Sequence, residues 1–106
     1  MATYLVPSTM TDITVSSCAD YADWVLVLDN GLGYLMLEDN QITLLAIASE
    51  ARGKGYTKLL VDTARRLVMG RPLIVLAINE DVAAKVYEPL GFRIRRGLLM
   101  ELYDSM

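Results

Sequence analysis

The chain has 106 residues, of which 54% are hydrophobic, and its 10 basic and 13 acidic side chains give a net charge of -3. This length and apolar content predict a single compact domain over residues 1–106 and argue against a disordered chain. The net negative charge disfavours a nucleic acid partner. The chain has no His and a single cysteine, Cys18, which excludes disulfide frameworks, the usual zinc-ligand sets and nucleophiles activated by His. We therefore expect no metal.

The opening residues and the apolar runs of the chain bear on its location. The opening residues MATYLVPSTMTD lack the basic start and the long apolar run of a signal peptide. The longest apolar runs, such as residues 73–78, are too short to cross a bilayer. We expect a cytoplasmic protein that does not bind membranes.

The first half of the chain shows strand patterns. Residues 1–23 are the weakest part: residues 3–6 are compatible with a strand, and SSCADYADW at 16–24 with a helical turn or two. Three apolar runs then follow, separated by DNGLG and EDN, whose Gly, Asn and Asp residues suit hairpin turns. These runs, at residues 24–28, 34–37 and 42–48, predict an antiparallel meander.

The last run of the meander is apolar at consecutive positions. Such a pattern predicts a central strand that is covered on both faces, with helices lying over the sheet. After a glycine-rich loop, helical spacing predicts a helix that buries Leu60, Ala64, Leu67 and Val68 and ends before Gly70 and Pro72.

The second half continues this alternation. A buried strand at residues 73–78 precedes Asn79, a good helix N-cap, and the following helix is expected to bury Val82, Val86 and Leu90 before Pro89 and Gly91 end it. The tail FRIRRGLLMELYD predicts a hairpin around Gly97. The order strand, helix, strand, helix from 42 to 90 predicts a crossover between parallel strands, so the class is α+β with a mixed, mostly antiparallel sheet flanked by helices.

The loop SEARGKGY at 49–56 joins a strand to a helix N-terminus, where free backbone N–H groups and the helix dipole favour an anion. Its glycines permit close approach of a phosphate, and Arg52 and Lys54 add positive charge, so a polyphosphate ligand is indicated. The Walker A and dinucleotide-binding patterns lack required residues here. A tight connection that binds nothing is the alternative.

Two segments resemble the GNAT-type N-acetyltransferases. Arg52-Gly53-Lys54-Gly55-Tyr56-Thr57 is similar to the family's Arg-x-x-Gly-x-(Gly/Ala) pyrophosphate loop, although Thr57 departs from the small final residue. NEDVAAKVYEPLGF at 79–92 is similar to the Asn, Ala, Tyr and Gly-Phe signature that follows the next strand. The resemblance covers about residues 24–103 and implies a GNAT fold, shortened at its N-terminus because only about twenty residues stand where the family has a strand and two helices.

The resemblance implies acetyl-CoA as cosubstrate and an amine, of a protein or a small molecule, as acceptor. Residues Arg52 to Thr57 would bind the pyrophosphate, Ala46, Ile47 and Ala48 would offer backbone groups to the pantetheine arm, and Asn79 would lie near that arm. Tyr87 would act as general acid toward the sulfur, although in isolation it reads as a core aromatic, just as Asn79 reads as a helix cap.

The sequence is compatible with more than one base, function and oligomeric state. Glu38, Glu50, Asp81 and Glu88 are candidates for the base that would neutralise the amine, and none is singled out. A GNAT-fold interaction protein with weak or no coenzyme A binding is the alternative function. The high apolar content of so short a chain makes a homodimer an option, with a second copy covering exposed strand surface.

Overall fold

A computed structural model describes residues 11–18 and 22–102, apart from the side chains of Cys18 and Ala22. These residues form one sheet in the order β1-β2-β3-β4-β5-β7-β6, in which β4 and β5 are parallel and every other pair of neighbours is antiparallel. The predicted class, α+β with a mixed and mostly antiparallel sheet, is confirmed. The strands are β1 Ile13–Cys18, β2 Ala22–Leu28, β3 Gly33–Glu38, β4 Gln41–Ile47, β5 Leu73–Leu76, β6 Arg93–Arg96 and β7 Leu99–Leu102.

One face of this sheet is packed. Successive side chains of a strand point to opposite faces, and every second residue of the inner strands is almost completely buried. We call this side the packed face; its buried residues are Leu26, Leu28, Leu35, Leu37, Ile42, Leu73, Val75, Met100 and Leu102. They form one core cluster with the buried side chains of both helical segments, so the helices lie on the packed face.

The opposite face, which we call the open face, is also apolar. Its apolar residues on β2 to β5 are Val25, Val27, Tyr34, Met36, Leu44, Ala46, Ile74 and Leu76, and none of them is buried. The prediction that β4 is covered on both faces is therefore wrong. The strand is central, since it is the fourth of seven, but Leu44 is 42% exposed because the described helices pack on one face only.

The helix α1, Tyr56–Leu67, follows the glycine loop as predicted. It buries Tyr56, Leu60, Val61 and Ala64 against β2, β3 and β4, and Val68 completes this stripe. Lys58 and Asp62 on the outer side form an ion pair of 2.7 Å at i, i+4 spacing. The helix ends because Met69 and Gly70 both take positive φ values, 56° and 86°, which a right-handed helix cannot include.

The second helical segment, residues 80–90, is not the uniform α-helix that the sequence predicts. It consists of a short α-helical turn Glu80–Val82, a π-helical turn Ala83–Tyr87 and a 3-10 turn Glu88–Leu90. The π-helical turn changes the spacing of the buried positions. Ala83 and Tyr87 are buried, whereas Val82, Val86 and Leu90, the predicted stripe, are only half-buried.

The N-terminal region also differs from the prediction. Residues 13–18 form the edge strand β1, which the sequence analysis missed, and Ser16, Ser17 and Trp24 lie in strands rather than in a helical turn. The possible strand at residues 3–6 lies outside the described residues. The other strands, including the hairpin of β6 and β7 around Gly97, are confirmed in place, with β5 ending at Leu76 instead of residue 78. The prediction that β5 is buried is wrong for its open face, where Leu76 is 61% exposed.

One set of polar contacts holds β4 beside β5 at the start of both strands. Arg71 donates two hydrogen bonds, of 2.7 and 3.0 Å, to the carboxylate of Asp39. The Asn40 side chain donates to the carbonyl of Pro72 at 2.8 Å, and the Ile74 N–H donates to the Asn40 carbonyl at 2.8 Å. These contacts fix the register in which the two parallel strands meet.

The Asp39–Arg71 pair should give the stability a pH dependence at acidic pH. The hydrogen bonds from Arg71 lower the pKa of Asp39 below its usual 3.8. A lowered folded-state pKa means that the pair stabilises the fold above the unfolded pKa, and that this contribution is lost as the pH falls through the folded pKa. We expect Arg71→Gln to lower Tm at pH 7, and the difference from wild type to shrink at and below about pH 3.

NMR titration of the Asp39 carboxyl carbon provides the direct measurement. In the Arg71→Gln variant the pKa of Asp39 should rise toward 3.8, the value of an unperturbed aspartate. Arg66→Gln is the matched control, since Arg66 is exposed and donates only to Thr63 within the described residues. An unchanged pKa of Asp39 in Arg71→Gln would contradict the assignment.

Candidate functional site

The glycine loop adopts the backbone conformation that its sequence requires. A 3-10 turn, Ser49–Ala51, follows β4, and Arg52 is extended with φ -70° and ψ 150°. Gly55, the N-cap of α1, has φ 84° and ψ 6°, in the left-handed region that favours glycine. A Cβ atom added there would meet nothing within 4 Å, so the backbone is open to a ligand.

The loop combines free hydrogen-bond donors with positive charge. No side chain caps α1, and the first hydrogen bond of the helix runs from the Leu59 N–H to the Gly55 carbonyl at 3.1 Å. The N–H groups of Tyr56, Thr57 and Lys58 therefore lack acceptors within the helix. Arg52 and Lys54 are exposed, and neither forms an ion pair with another described residue. Together with the positive end of the helix dipole, these groups favour an anion.

The turn between β2 and β3 supports both ends of the glycine loop. The Asn30 side chain donates a hydrogen bond of 3.2 Å to the hydroxyl of Tyr56, which is buried at the start of α1. The same side chain accepts from the Leu32 N–H at 3.0 Å, and the Leu32 carbonyl accepts from the Ala48 N–H at 2.8 Å, just before the loop. The sequence analysis took DNG only as a turn and missed this role of Asn30.

A β-bulge separates β4 from β5 near the loop. Met36 of β3 pairs with Leu44, and the next residue, Leu37, pairs with Ile42, so Thr43 is an extra residue in β4. The parallel pairing with β5 is limited to the levels of Gln41 and Ile42. Beyond Ile42 the β5-facing backbone groups of β4 have no ladder partner among the residues described. A cleft therefore opens between the two central strands.

The three predicted pantetheine residues lie along this cleft. Ala46 and Ile47 are the last two residues of β4, and Ala48 leads into the 3-10 turn. Ala46 and Ile47 pair with β3 on their other side, and the Ala48 N–H bonds to the Leu32 carbonyl, so within residues 11–18 and 22–102 the backbone of the segment is hydrogen-bonded on one side only. Gly33 permits this packing, because a Cβ there would lie 2.6 Å from Cδ1 of Ile47.

Asn79 lies at the same end of the central strands as the glycine loop. Because β4 and β5 are parallel, their carboxyl ends meet there, and the loops that follow them bound one crevice. Asn79 caps the second helical segment, and its side-chain oxygen accepts a hydrogen bond from the Val82 N–H at 2.8 Å. Its predicted role as a helix cap is confirmed, while contact with a cofactor stays a prediction.

Tyr87 ends the π-helical turn with its ring in the core. The ring is 8% exposed and meets Phe92 edge to face, with the ring centroids 5.4 Å apart. The phenol forms no hydrogen bond with a described residue, and no buried polar side-chain atom in the described part is without a partner, so the phenol oxygen touches solvent. Burial raises the pKa of Tyr87 above its usual 10.0, which keeps the hydroxyl protonated.

The candidate bases do not converge on the cleft. Glu38 pairs with Gln41 at the opposite end of β4 from the glycine loop. Asp81 forms an ion pair of 3.2 Å with Lys85 on the exposed surface. Glu50 and Glu88 are exposed, in 3-10 turns. No residue is assigned as base, and among the described residues no group of three or more His, Cys, Asp or Glu is placed to hold a metal ion.

These features can be compared with known proteins. No family model matches the chain, and no curated protein matches it. Its fold is similar to that of apo YjaB from Escherichia coli, a GNAT-family acetyltransferase whose structure was solved in solution, with a TM-score of 0.56 and 22% sequence identity. The chain has the GNAT fold. The match covers 78% of this chain and 65% of YjaB, so the chain spans less than two thirds of the length of that protein.

Within the GNAT fold, the sequence-predicted residues fall into two groups. Ala46, Ile47 and Ala48 and the loop residues Arg52, Gly53, Lys54, Gly55, Tyr56 and Thr57 occupy one continuous stretch from the cleft to the first turn of α1. Asn79 and Tyr87 belong to the segment after β5, whose N-terminus lies at the same end of the central strands.

No helix in the described residues is long and apolar enough to cross a membrane.

The hydrogen bond between Asn30 and Tyr56 should hold the glycine loop in place. Tyr56→Phe removes the phenol oxygen and retains the buried ring, so we expect a loss of about 0.5–1.5 kcal/mol in the free energy of unfolding. Backbone amides of residues 52–58 should also exchange faster with deuterium, because the start of α1 loses its link to the β2–β3 turn.

Tyr34→Phe is the matched control. Tyr34 is 38% exposed and its phenol forms no hydrogen bond with a described residue. Mass-spectrometric hydrogen exchange and urea unfolding of both variants measure the effect. Equal changes in the two variants would show that the Asn30 contact does not restrain the loop.

Proposed function

We propose that this protein is an N-acetyltransferase that transfers an acetyl group from acetyl-CoA to a primary amine, of a protein or a small molecule. The observation that carries the proposal is the continuity of the site in a GNAT fold. The cleft between β4 and β5 leads directly into a glycine loop whose free N–H groups and two cations face no partner in the described chain.

The loop suits the pyrophosphate of coenzyme A. Its oxygens would accept hydrogen bonds from the N–H groups at the start of α1, and the open space at Gly53 and Gly55 permits their close approach. Arg52 and Lys54 would balance the negative charge without a metal ion. Thr57 is the second residue of the helix, so its branched side chain lies within the first turn rather than in the glycine turn.

The cleft suits the pantetheine arm, which is extended and carries amide groups. A strand whose backbone groups lack a partner binds such an arm as it would bind a neighbouring strand. Ala46, Ile47 and Ala48 would supply these groups along β4, with Asn79 at the opposite wall. This arrangement would place the thioester between the two diverging strands.

The reaction needs a neutral amine and a proton for the leaving sulfur. The amine nitrogen attacks the thioester carbonyl, the new C–N bond forms, and the C–S bond breaks with its electron pair going to sulfur. Because the thioester is already activated, holding the amine in line supplies much of the rate. The proton that the amine loses goes to water, since no side chain is assigned as base.

Tyr87 would deliver the proton to the departing thiolate. Burial raises the pKa of Tyr87 above 10.0, so the phenol stays protonated at neutral pH, and its oxygen remains accessible. The tyrosinate formed in this step regains a proton from solvent. A donor of this kind contributes typically 10²- to 10⁴-fold to a rate.

Cofactor binding is the first test. Acetyl-CoA at 100 times its Kd should add about 2.7 kcal/mol to the free energy of unfolding. Thermal unfolding with acetyl-CoA, coenzyme A, ATP or NAD measures it, and only the first two should raise Tm, by several degrees or more. The same Tm with and without acetyl-CoA would contradict the proposal and favour a GNAT-fold interaction protein.

A pair of glycine variants assigns the binding to the loop. Gly55→Glu should abolish binding of acetyl-CoA, because it brings a carboxylate and a side chain to the anion site. Gly70→Glu is the matched control: both glycines have φ near +85°, at 84° and 86°, and both face open space, but Gly70 lies beyond the other end of α1. Isothermal calorimetry compares them, and equal affinities would move the site elsewhere.

A second variant tests the general acid. Tyr87→Phe should lower kcat about 10²- to 10⁴-fold and leave the Kd of acetyl-CoA nearly unchanged, since it removes only the phenol oxygen. Steady-state kinetics with an amine acceptor measures kcat, and calorimetry measures Kd. A normal kcat with much weaker binding would assign Tyr87 to the cofactor site instead of the proton transfer.

A further inference from the structure

The open face of the sheet is a continuous apolar surface that the described part of the chain leaves uncovered. Val27, Tyr34 and Leu44 are 39%, 38% and 42% exposed, and Leu76 is 61% exposed. They lie on neighbouring strands, with Met36 and Ala46 between them. A surface of this kind is typical of an interface.

The charges of the chain are strongly divided along the sequence. Residues 1–51 contain seven acidic side chains and no Lys or Arg, whereas residues 52–106 contain all ten basic side chains and six acidic ones. Within the sheet, Asp23 lies in β2, Glu38 lies in β3, and three arginines lie in β6 at the far edge, while the edge strand β1 carries no charge. We call the half with β2 and β3 the acidic side of the sheet and the half with β6 the basic side.

The strand register places acidic and basic side chains on the open face. A single row of paired residues crosses the sheet on that face at one level, from an acid to an arginine: Glu38, Gln41, Ile74, Glu101 and Arg93. Glu101 is nearly buried and pairs with Arg95 at 2.8 Å, so its charge is met within the chain. Glu38 at one end and Arg93 at the other are exposed.

We propose that two copies of this chain pack open face against open face, with their two-fold axis parallel to the strands. A rotation about this axis reverses the order of the strands, so the acidic side of one sheet lies over the basic side of the other. A two-fold axis across the strands would instead oppose acid to acid. Both copies use the same surface in this arrangement, so the assembly stops at two copies.

The packing is that of two aligned sheets. Such sheets lie about 10 Å apart, and apolar side chains of both inner faces fill the space between them. Leu44 of β4 and Ile74 and Leu76 of β5 would lie at the centre, since an axis between β4 and β5 places β2, which carries Asp23, over the arginines of β6. The charges on the two sides would then form a polar rim that sets the orientation.

The cleft between β4 and β5 would lie beneath this interface. The second copy would wall the cleft on its open side, and an acceptor would enter from the carboxyl ends of the strands. The association itself does not depend on acetyl transfer, and its test needs no ligand.

The first experiment measures mass in solution. Sedimentation velocity at increasing protein concentration should show a species of twice 11.8 kDa. Leu44→Glu, which brings a charge to the centre of the face, should raise the dimer dissociation constant at least about tenfold. Met69→Glu is the control: Met69 is 86% exposed but lies beyond α1, away from the sheet, and this variant should dimerise like wild type.

A charge exchange then tests the orientation. The double variants Asp23→Lys with Glu38→Lys, and Arg93→Glu with Arg96→Glu, should each be mainly monomeric, because like charges would face each other. An equimolar mixture should restore a mixed dimer, because opposite charges then face each other at both rims. Circular dichroism of each variant confirms that it is folded.

Three results would overturn the proposal. The first is a monomer at every concentration of the wild-type protein. The second is a dimer that persists unchanged in Leu44→Glu, which would place the contact elsewhere, for example at the β1 edge. The third is a dimer that the charge variants do not weaken, or that their mixture does not restore, which would exclude the two-fold axis along the strands.

Discussion

The short parallel pairing of β4 with β5 is the constraint on which the rest of the structure depends. It extends over two residue pairs, Gln41 with Ile74 and Ile42 with Val75. The Asp39–Arg71 and Asn40–Pro72 contacts hold the strands together below it, and the Thr43 bulge turns β4 away above it. Were the pairing longer, its hydrogen bonds would close the cleft, and the backbone groups proposed to bind a cofactor would be occupied.

The two faces of the sheet have separate roles because both helical segments pack on one of them. The packed face supplies the core, and the core in turn fixes the helix N-terminus at which the glycine loop ends. The open face keeps apolar side chains at the surface, next to the cleft. This division explains how one thin layer of strands can carry both a proposed cofactor site and a proposed contact between copies.

The predictions from the sequence that proved wrong share one cause. The spacing and the type of residues indicate how apolar a position is, but not which part of the structure packs against it. Leu44 is as apolar as its buried neighbours, yet nothing in the described chain lies over it. Val82, Val86 and Leu90 fit a regular α-helix, but the π-helical turn rotates Ala83 and Tyr87 into the core. The strand β1 was missed because short polar residues, such as Ser16 and Ser17, pair well at a sheet edge without an apolar signal.

The sequence by itself determined the order of strands and helical segments from β2 onward, the hairpin turns and the glycine loop, because these depend on local backbone preferences that Gly, Asn and apolar spacing express directly. It also determined the N-cap at Asn79, a contact within three residues. Tertiary structure alone decided the bulge at Thr43, the contact of Asn30 with Tyr56, 26 residues apart, and the one-sided covering of the sheet. Each of these depends on how distant elements meet, and no local pattern records that.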